Sequence, residues 1–232
     1  MQTYRITISS FLVAAMSMYA CLLLADAPAL AQQAAASNKS QSADLAQEEQ
    51  QTSRLDAQVK PSRKINRRPL TDLLRRVFDL RQRRELDLDS PLEIIIEGDL
   101  DSEGLIHNVE ITQKSGDAAL TPIAEEFVTA LNEAGALDFL DDAKRLRLAI
   151  FSSETNVAAN TSFEAESAHQ AHQKATGYKA LVSMAAMLKR GRDQELIYRN
   201  LSVSSKDREV IVNFSMPRET FCALLSKYLS SH

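Results

Sequence analysis

The sequence predicts an α+β fold in which antiparallel strands, paired as hairpins, alternate with amphipathic helices. Three observations carry that reading. Apolar residues recur at three- and four-residue spacing in several separate stretches, the mark of helices with one buried face. Short β-branched runs lie between them, bounded by Gly, Asp and Ser turns, the mark of hairpins. The order helix, hairpin, helix occurs twice, with one further strand between the copies. The expected organisation is a signal peptide over 1–31, a disordered linker over 32–60, a first α-β-β-α-β unit over 61–155 and a second α-β-β-α unit over 156–232.

Phe11 to Ala25 is almost unbroken apolar sequence, preceded by Arg5 and followed by the small residues Ala29 and Ala31. A positive start, an apolar centre and small residues before a cut after Ala31 make an export signal, so the protein is expected in the periplasm or secreted. The alternative is a retained inner-membrane anchor formed by residues 6–25, although the run falls short of the about 20 apolar residues that span a bilayer. Cys21 lies inside the apolar centre, the wrong place for a lipidated cysteine. Residues 32–60 are rich in Gln, Ala and Ser without an apolar period, too little to offset the entropy of ordering. Only two cysteines occur among the 232 residues. Removal of Cys21 with the signal leaves Cys222 alone, so stability must come from packing. The net charge of −4 is unremarkable, and the basic stretch from Lys60 to Arg84 faces an acidic one from Glu85 to Glu103 that neutralises it. No nucleic-acid partner is expected.

The first unit opens with Leu70, Leu73, Leu74, Val77 and Phe78 on one helical stripe, with Pro69 near its start. Leu92 to Glu97 reads as a strand, Asp99 to Gly104 as a turn, and Ile106 to Ile111 as the returning strand. Ile106, Val109 and Ile111 reach one face only if a β-bulge interrupts the alternation. Thr121 and Pro122 suit the N-cap and first position of a second helix, with Ile123, Phe127, Ala130, Leu131 and Ala134 as its buried side. Arg145 to Ser153 alternates Leu146, Leu148 and Ile150 against Arg145 and Arg147 as a third strand, followed by a loop over 155–162. In the second unit a helix covers about 165–190 and stops at Gly191. Leu201 and Val203, a turn over 204–207, and Val210, Val212 and Phe214 form a hairpin. Pro217 opens a last helix carrying Phe221, Leu224, Leu225, Tyr228 and Leu229. Each unit has too few strands to be stable alone, so the two are expected to share a sheet or pack face to face.

The stretch Gly104-Leu105-Ile106-His107-Asn108-Val109-Glu110-Ile111-Thr112-Gln113-Lys114-Ser115-Gly116 resembles the hairpin motif of TonB C-terminal domains. There a turn Gly is followed by apolar residues two, five and seven positions later and then by Ser-Gly. Leu120 stands where that family has its helix-opening Leu, and the order helix, two strands, helix, strand over residues 70–153 is similar. The chain departs from the family in lacking its Pro-rich spacer and its Phe-x-Pro, and in carrying a second unit. The resemblance implies a TonB- or TolA-like fold in the cell envelope and a protein partner bound by strand pairing. Carried onto this chain, it points to the strand Arg145 to Ser153, with Arg145, Arg147, Ala149 and Phe151 as the residues meeting the partner. That expectation requires the strand to lie at a sheet edge, where its unpaired backbone can accept an extended peptide.

Other chemistry finds weaker footing. Asp99, Asp101, Glu103 and Glu110, with Gly104, follow part of a calcium-loop spacing. That loop requires flanking helices, whereas strands are expected on both sides. A periplasmic ligand or metal sensor using these carboxylates is the alternative function. His169 and His172, with Glu166, fall short of a closed zinc site, which wants four ligands, and read as a solvated helix face. Cys222 borders the apolar stripe of the last helix and reads as a semi-buried core thiol. No nucleophile-elbow, phosphate-loop, metalloprotease or paired-carboxylate pattern occurs. The chain is thus expected to be no enzyme, with no catalytic residue and no cofactor; a hydrolase using unrecognised residues ranks last.

Overall fold

A computed structural model describes residues 65–88, 90–140 and 143–230. The expected export signal and linker lie outside the described residues. Among the described residues the fold is α+β, with five α-helices and a six-stranded antiparallel sheet. In chain order these elements are α1 (Arg68–Gln82), β1 (Leu92–Leu100), β2 (Ile106–Ser115), α2 (Leu120–Ala134), β3 (Arg145–Ser152), β4 (Asn156–Glu164), α3 (Ala168–Leu188), α4 (Asp193–Arg199), β5 (Leu201–Lys206), β6 (Glu209–Pro217) and α5 (Arg218–Ser230), with a 3₁₀ turn at Asp138–Leu140.

The strands lie in the order β2-β1-β3-β4-β6-β5, every neighbouring pair antiparallel. Three strands come from each half of the chain, and the halves meet where β3 pairs with β4. Alternate residues of the inner strands point to one face: Leu92, Ile94 and Ile96 of β1, Leu146, Leu148 and Ile150 of β3, Val157, Ala159 and Phe163 of β4, and Val210, Phe214 and Met216 of β6 are all buried. That face carries the helices. α1 packs on α2, α3 on β5 and β6, and α5 on β4 and β6, and their buried side chains join those of the strands in one hydrophobic cluster. Edge-on ring pairs, Phe163 with Tyr178 and Phe214 with Phe221, tie α3 to β4 and α5 to β6. The opposite face is mostly polar, with Glu93, Glu97, Arg147, Asn160 and Asn213 along its middle, and Asn160 donates from Nδ2 to Asn213 Oδ1. One solvated face is ordinary for an antiparallel sheet.

Several expectations are corrected. Residues 156–164 form β4 where a loop is expected over 155–162, so two strands and not one separate the two helix–hairpin–helix stretches. Its inward residues Val157, Ala159, Thr161 and Phe163 do alternate, but Ala and Thr blunt the contrast with Ala158, Asn160 and Ser162. A short helix, α4, follows Gly191. Thr121 is no N-cap: α2 begins at Leu120, and the Thr121 hydroxyl donates to Gln113 Oε1 at 2.8 Å. Asp117 does the local work instead, accepting from the Ala119 N–H at 2.9 Å and from the Asp87 N–H at 2.8 Å. Pro217 ends β6 and precedes α5. At that junction Arg218, 4% exposed, donates from Nη1 to Ser153 O at 3.1 Å and from Nη2 to Leu88 O at 3.0 Å. A buried guanidinium thus fastens α5 to the β3–β4 turn and to the α1–β1 connection.

Candidate functional site

The β1–β2 turn is built by Asp101. Its Oδ1 accepts the N–H groups of Glu103 at 2.8 Å and Leu105 at 2.9 Å, and its Oδ2 lies 2.7 Å from His107 Nε2. The Leu105 N–H above all, and then the His107 imidazole, hold the Asp101 carboxyl below its ordinary value because these bonds favour the charged form. Gly104 takes φ +73° with its α-carbon pressed against the Leu137 carbonyl, where no side chain fits. Beyond the turn, the register of β2 against β1 slips between Glu97 and Asp99, and Asn108 adopts φ +50°. This is the expected bulge. It is packed tightly: a Cβ at Gly98, on the facing strand, would come 2.5 Å from Ile106 Cγ2. The extra residue brings Val109 and Ile111 round to the helix side with Ile106. From Glu110 to Gln113 the pairing is regular, and a second irregularity follows at Glu93/Ile94.

Among the described residues β2 is the first strand of the sheet and pairs only with β1. Along its outer side runs a groove of about 370 Å³, lined by Ile106, Val109 and Ile111 of β2 and by Thr121, Glu125, Val128, Thr129 and Asn132 of α2. The five α2 residues fall at helical spacing on one face, so the groove follows the strand. Both ends are closed by amide side chains. At one end Asn132 accepts the Ile106 N–H at 2.9 Å and donates to Ile106 O at 3.0 Å, taking the place a neighbouring strand would hold. At the other end Gln113 donates to Gly116 O at 3.0 Å and to Asp117 O at 2.9 Å while receiving the Thr121 hydroxyl. Between these closures Val109 is 39% exposed and Ile111 half-buried. An unpaired edge offers outward N–H and C=O groups to an extended chain, and alternate side chains of that chain would enter the groove.

The residues expected to meet a partner stand elsewhere. β3 lies inside the sheet, paired along its length with β1 on one side and β4 on the other. Strand addition there is therefore corrected, because β3 has no open edge: the stretch read as a loop occupies it. Arg145, Arg147, Ala149 and Phe151 do share the solvated face, as the alternation predicts. Arg147 pairs with Glu97 at 2.9 Å and Arg145 approaches the same carboxylate at 3.9 Å. Ala149 is buried and Phe151 exposed.

Two of the four candidate calcium carboxylates serve the hairpin. Asp101 holds the turn, and Asp99 Oδ2 accepts from Asn108 Nδ2 at 2.9 Å. Strands, not helices, flank the loop, and among the described residues no three His, Cys, Asp or Glu side chains gather as a metal site would need. His169 and His172 are exposed on α3, His169 within 3.0 Å of Gln173 Nε2. Cys222 is buried in the core. Sequence reasoning found the bulge that aims Val109 and Ile111, but it did not single out Val128, Asn132 or the edge itself. Composition does not mark the edge: β2 carries three aliphatic side chains among its ten residues, and β4, enclosed on both sides, carries no more. Compared with known protein families, curated proteins and solved structures, the chain matches none.

Proposed function

We propose that this is an exported, non-catalytic protein of the cell envelope that works through protein–protein contact, capturing an extended segment of a partner on the outer edge of β2. The observation that carries the reading is that β2, among the described residues, is paired on one side only, beside a groove that Ile106, Val109 and Ile111 line from the strand. Main-chain hydrogen bonds along the strand supply affinity, and the groove selects apolar side chains at alternate positions of the bound segment. The resemblance of residues 70–153 to the TonB C-terminal family supports the same reading, since that family binds partners by strand pairing. On this view the first half of the chain is a TonB/TolA-like module and β4 is what moves the docking edge from β3 to β2.

The other edge strand suits the task less well. β5 has six residues, three of them Ser, and ends at Lys206, and a charged terminus on a short strand blunts an edge.

Selection of displayed random peptides against residues 65–232 tests the proposal. Selected peptides should be extended and apolar at alternate positions, and should slow hydrogen exchange of β2 amides. Val109→Arg should weaken them by about tenfold or more, a loss of about 1.4 kcal/mol, while Ser202→Arg on β5 should leave them unchanged. Peptides that protect β5, or that bind Val109→Arg as well as the parent, would move the function away from β2.

A further inference from the structure

The corner between α3 and α4 combines exposed apolar side chains with cations. Met187 and Leu188, in the last turn of α3, are 70% and 56% exposed, and Leu196 on α4 is 42% exposed. The connecting turn carries Lys189, Arg190 and Arg192, wound tightly by the bonds from Arg190 N–H to Met187 O and from Arg192 N–H to Lys189 O. Among the described residues none of these three cations has an ion-pair partner. The nearby carboxylates are engaged elsewhere: Asp193 with Lys227, and Glu195 with Arg199 and the Gly191 N–H. We infer that this corner is a docking point for an anionic lipid surface, with Met187 and Leu188 entering the headgroup boundary and Lys189, Arg190 and Arg192 meeting lipid phosphates.

The chemistry favours a membrane over an apolar protein groove because unpaired cations ring the apolar tip on the same turn. That combination marks interfacial elements, whose binding adds apolar burial to attraction by anionic lipid. No helix among the described residues is long and apolar enough to cross a membrane, so the contact would be a surface one. The site is also separate from the groove. α3 packs on β5 and β6, at the end of the sheet away from β2. Five inter-strand steps, roughly 24 Å, lie between the two edge strands. A molecule docked by this corner would hold its open β2 edge away from the lipid.

Flotation of residues 65–232, which carry the whole sheet and its core, decides the matter independently of any apolar N-terminal segment. The protein should float with vesicles of phosphatidylglycerol and phosphatidylcholine in equal parts, stay behind with phosphatidylcholine alone, and be released by salt. Met187→Glu/Leu188→Glu should abolish flotation with circular dichroism unchanged, since both side chains are exposed. Lys189→Gln/Arg190→Gln/Arg192→Gln should weaken partition on the order of a hundredfold. Failure of the wild-type chain to float, flotation unaffected by either variant, or a dimer that Met187→Glu/Leu188→Glu dissolves without any lipid binding would each overturn the inference. The last result would assign the corner to a second copy of the chain.

Discussion

Arg218 and Asp101 are polar residues on which much apolar structure depends. Arg218 is enclosed at the start of α5, where its guanidinium satisfies the carbonyls of Ser153 and Leu88. Hydrogen bonds from a charged donor are worth more than neutral ones, and a buried carbonyl left without a partner costs its desolvation. Arg218→Met keeps the stem and removes the bonds, so chemical denaturation should show a loss of about 2–4 kcal/mol. Asp101 acts at the surface. Its carboxyl is held below its ordinary value of 3.8. A lowered value in the folded state means that the ionised carboxylate stabilises the turn at every pH above 3.8 and that this contribution fades as pH falls further. Asp101→Asn should therefore lower Tm at neutral pH, and the gap to the parent should narrow in acid below 3.8. A gap that stayed constant into acid would assign the Asp101 effect to shape alone.

Among the elements, β2 governs the site. Its bulge adds local twist to an otherwise exposed edge, and Lys114 stands near its end. Both features discourage indiscriminate edge-to-edge pairing. Deleting Asn108 restores strict alternation through Ile106, His107, Val109, Glu110 and Ile111, with every side chain still on its present face. The variant should fold, because the buried set is unchanged, yet its straighter edge should accept copies of itself. Analytical ultracentrifugation should find more self-association in the deletion variant than in the parent. An equally monomeric deletion variant would show that the bulge does not protect the edge. The groove is likewise a property of two elements together: β2 supplies Val109 and Ile111, and α2 supplies Val128 and the Asn132 amide that closes one end.

For the whole molecule, the decisive feature is the central pairing of β3 with β4. It joins two runs of helices and strands into one sheet with one hydrophobic cluster. Neither half has a boundary at which the other can melt separately. Residues 65–232 should thus unfold in one transition, with far-ultraviolet dichroism, tyrosine signals and calorimetry coinciding. Two resolved transitions would contradict a shared core. A fragment ending at residue 155 should fail to give a soluble monomer, because loss of β4 bares the inner strand β3.

Much of the local structure was legible from residue order. The stripe Leu70, Leu73, Leu74 and Val77 is buried in α1, and the run around Ile94–Ile96 forms β1. The bulge before Val109 also lies where periodicity puts it, the turn expected over Asp99–Gly104 begins only after Leu100, and Cys222 is buried more fully than the semi-buried thiol expected. These features depend on neighbours a few residues away, and side-chain type reports them directly. β4 was hidden because its inward Ala159 and Thr161 contrast little with its outward Ala158 and Asn160, so its burial comes from the strands on either side. Which strand ends the sheet was decided by tertiary structure alone. Strand order is set by backbone hydrogen bonds between segments distant in the chain, and those donors and acceptors are the same for nearly every residue type. A sequence can therefore announce a strand, and even the face each side chain takes. Whether the outer N–H and C=O groups of β2 or of β3 remain unpaired depends on where the whole chain places its last strand.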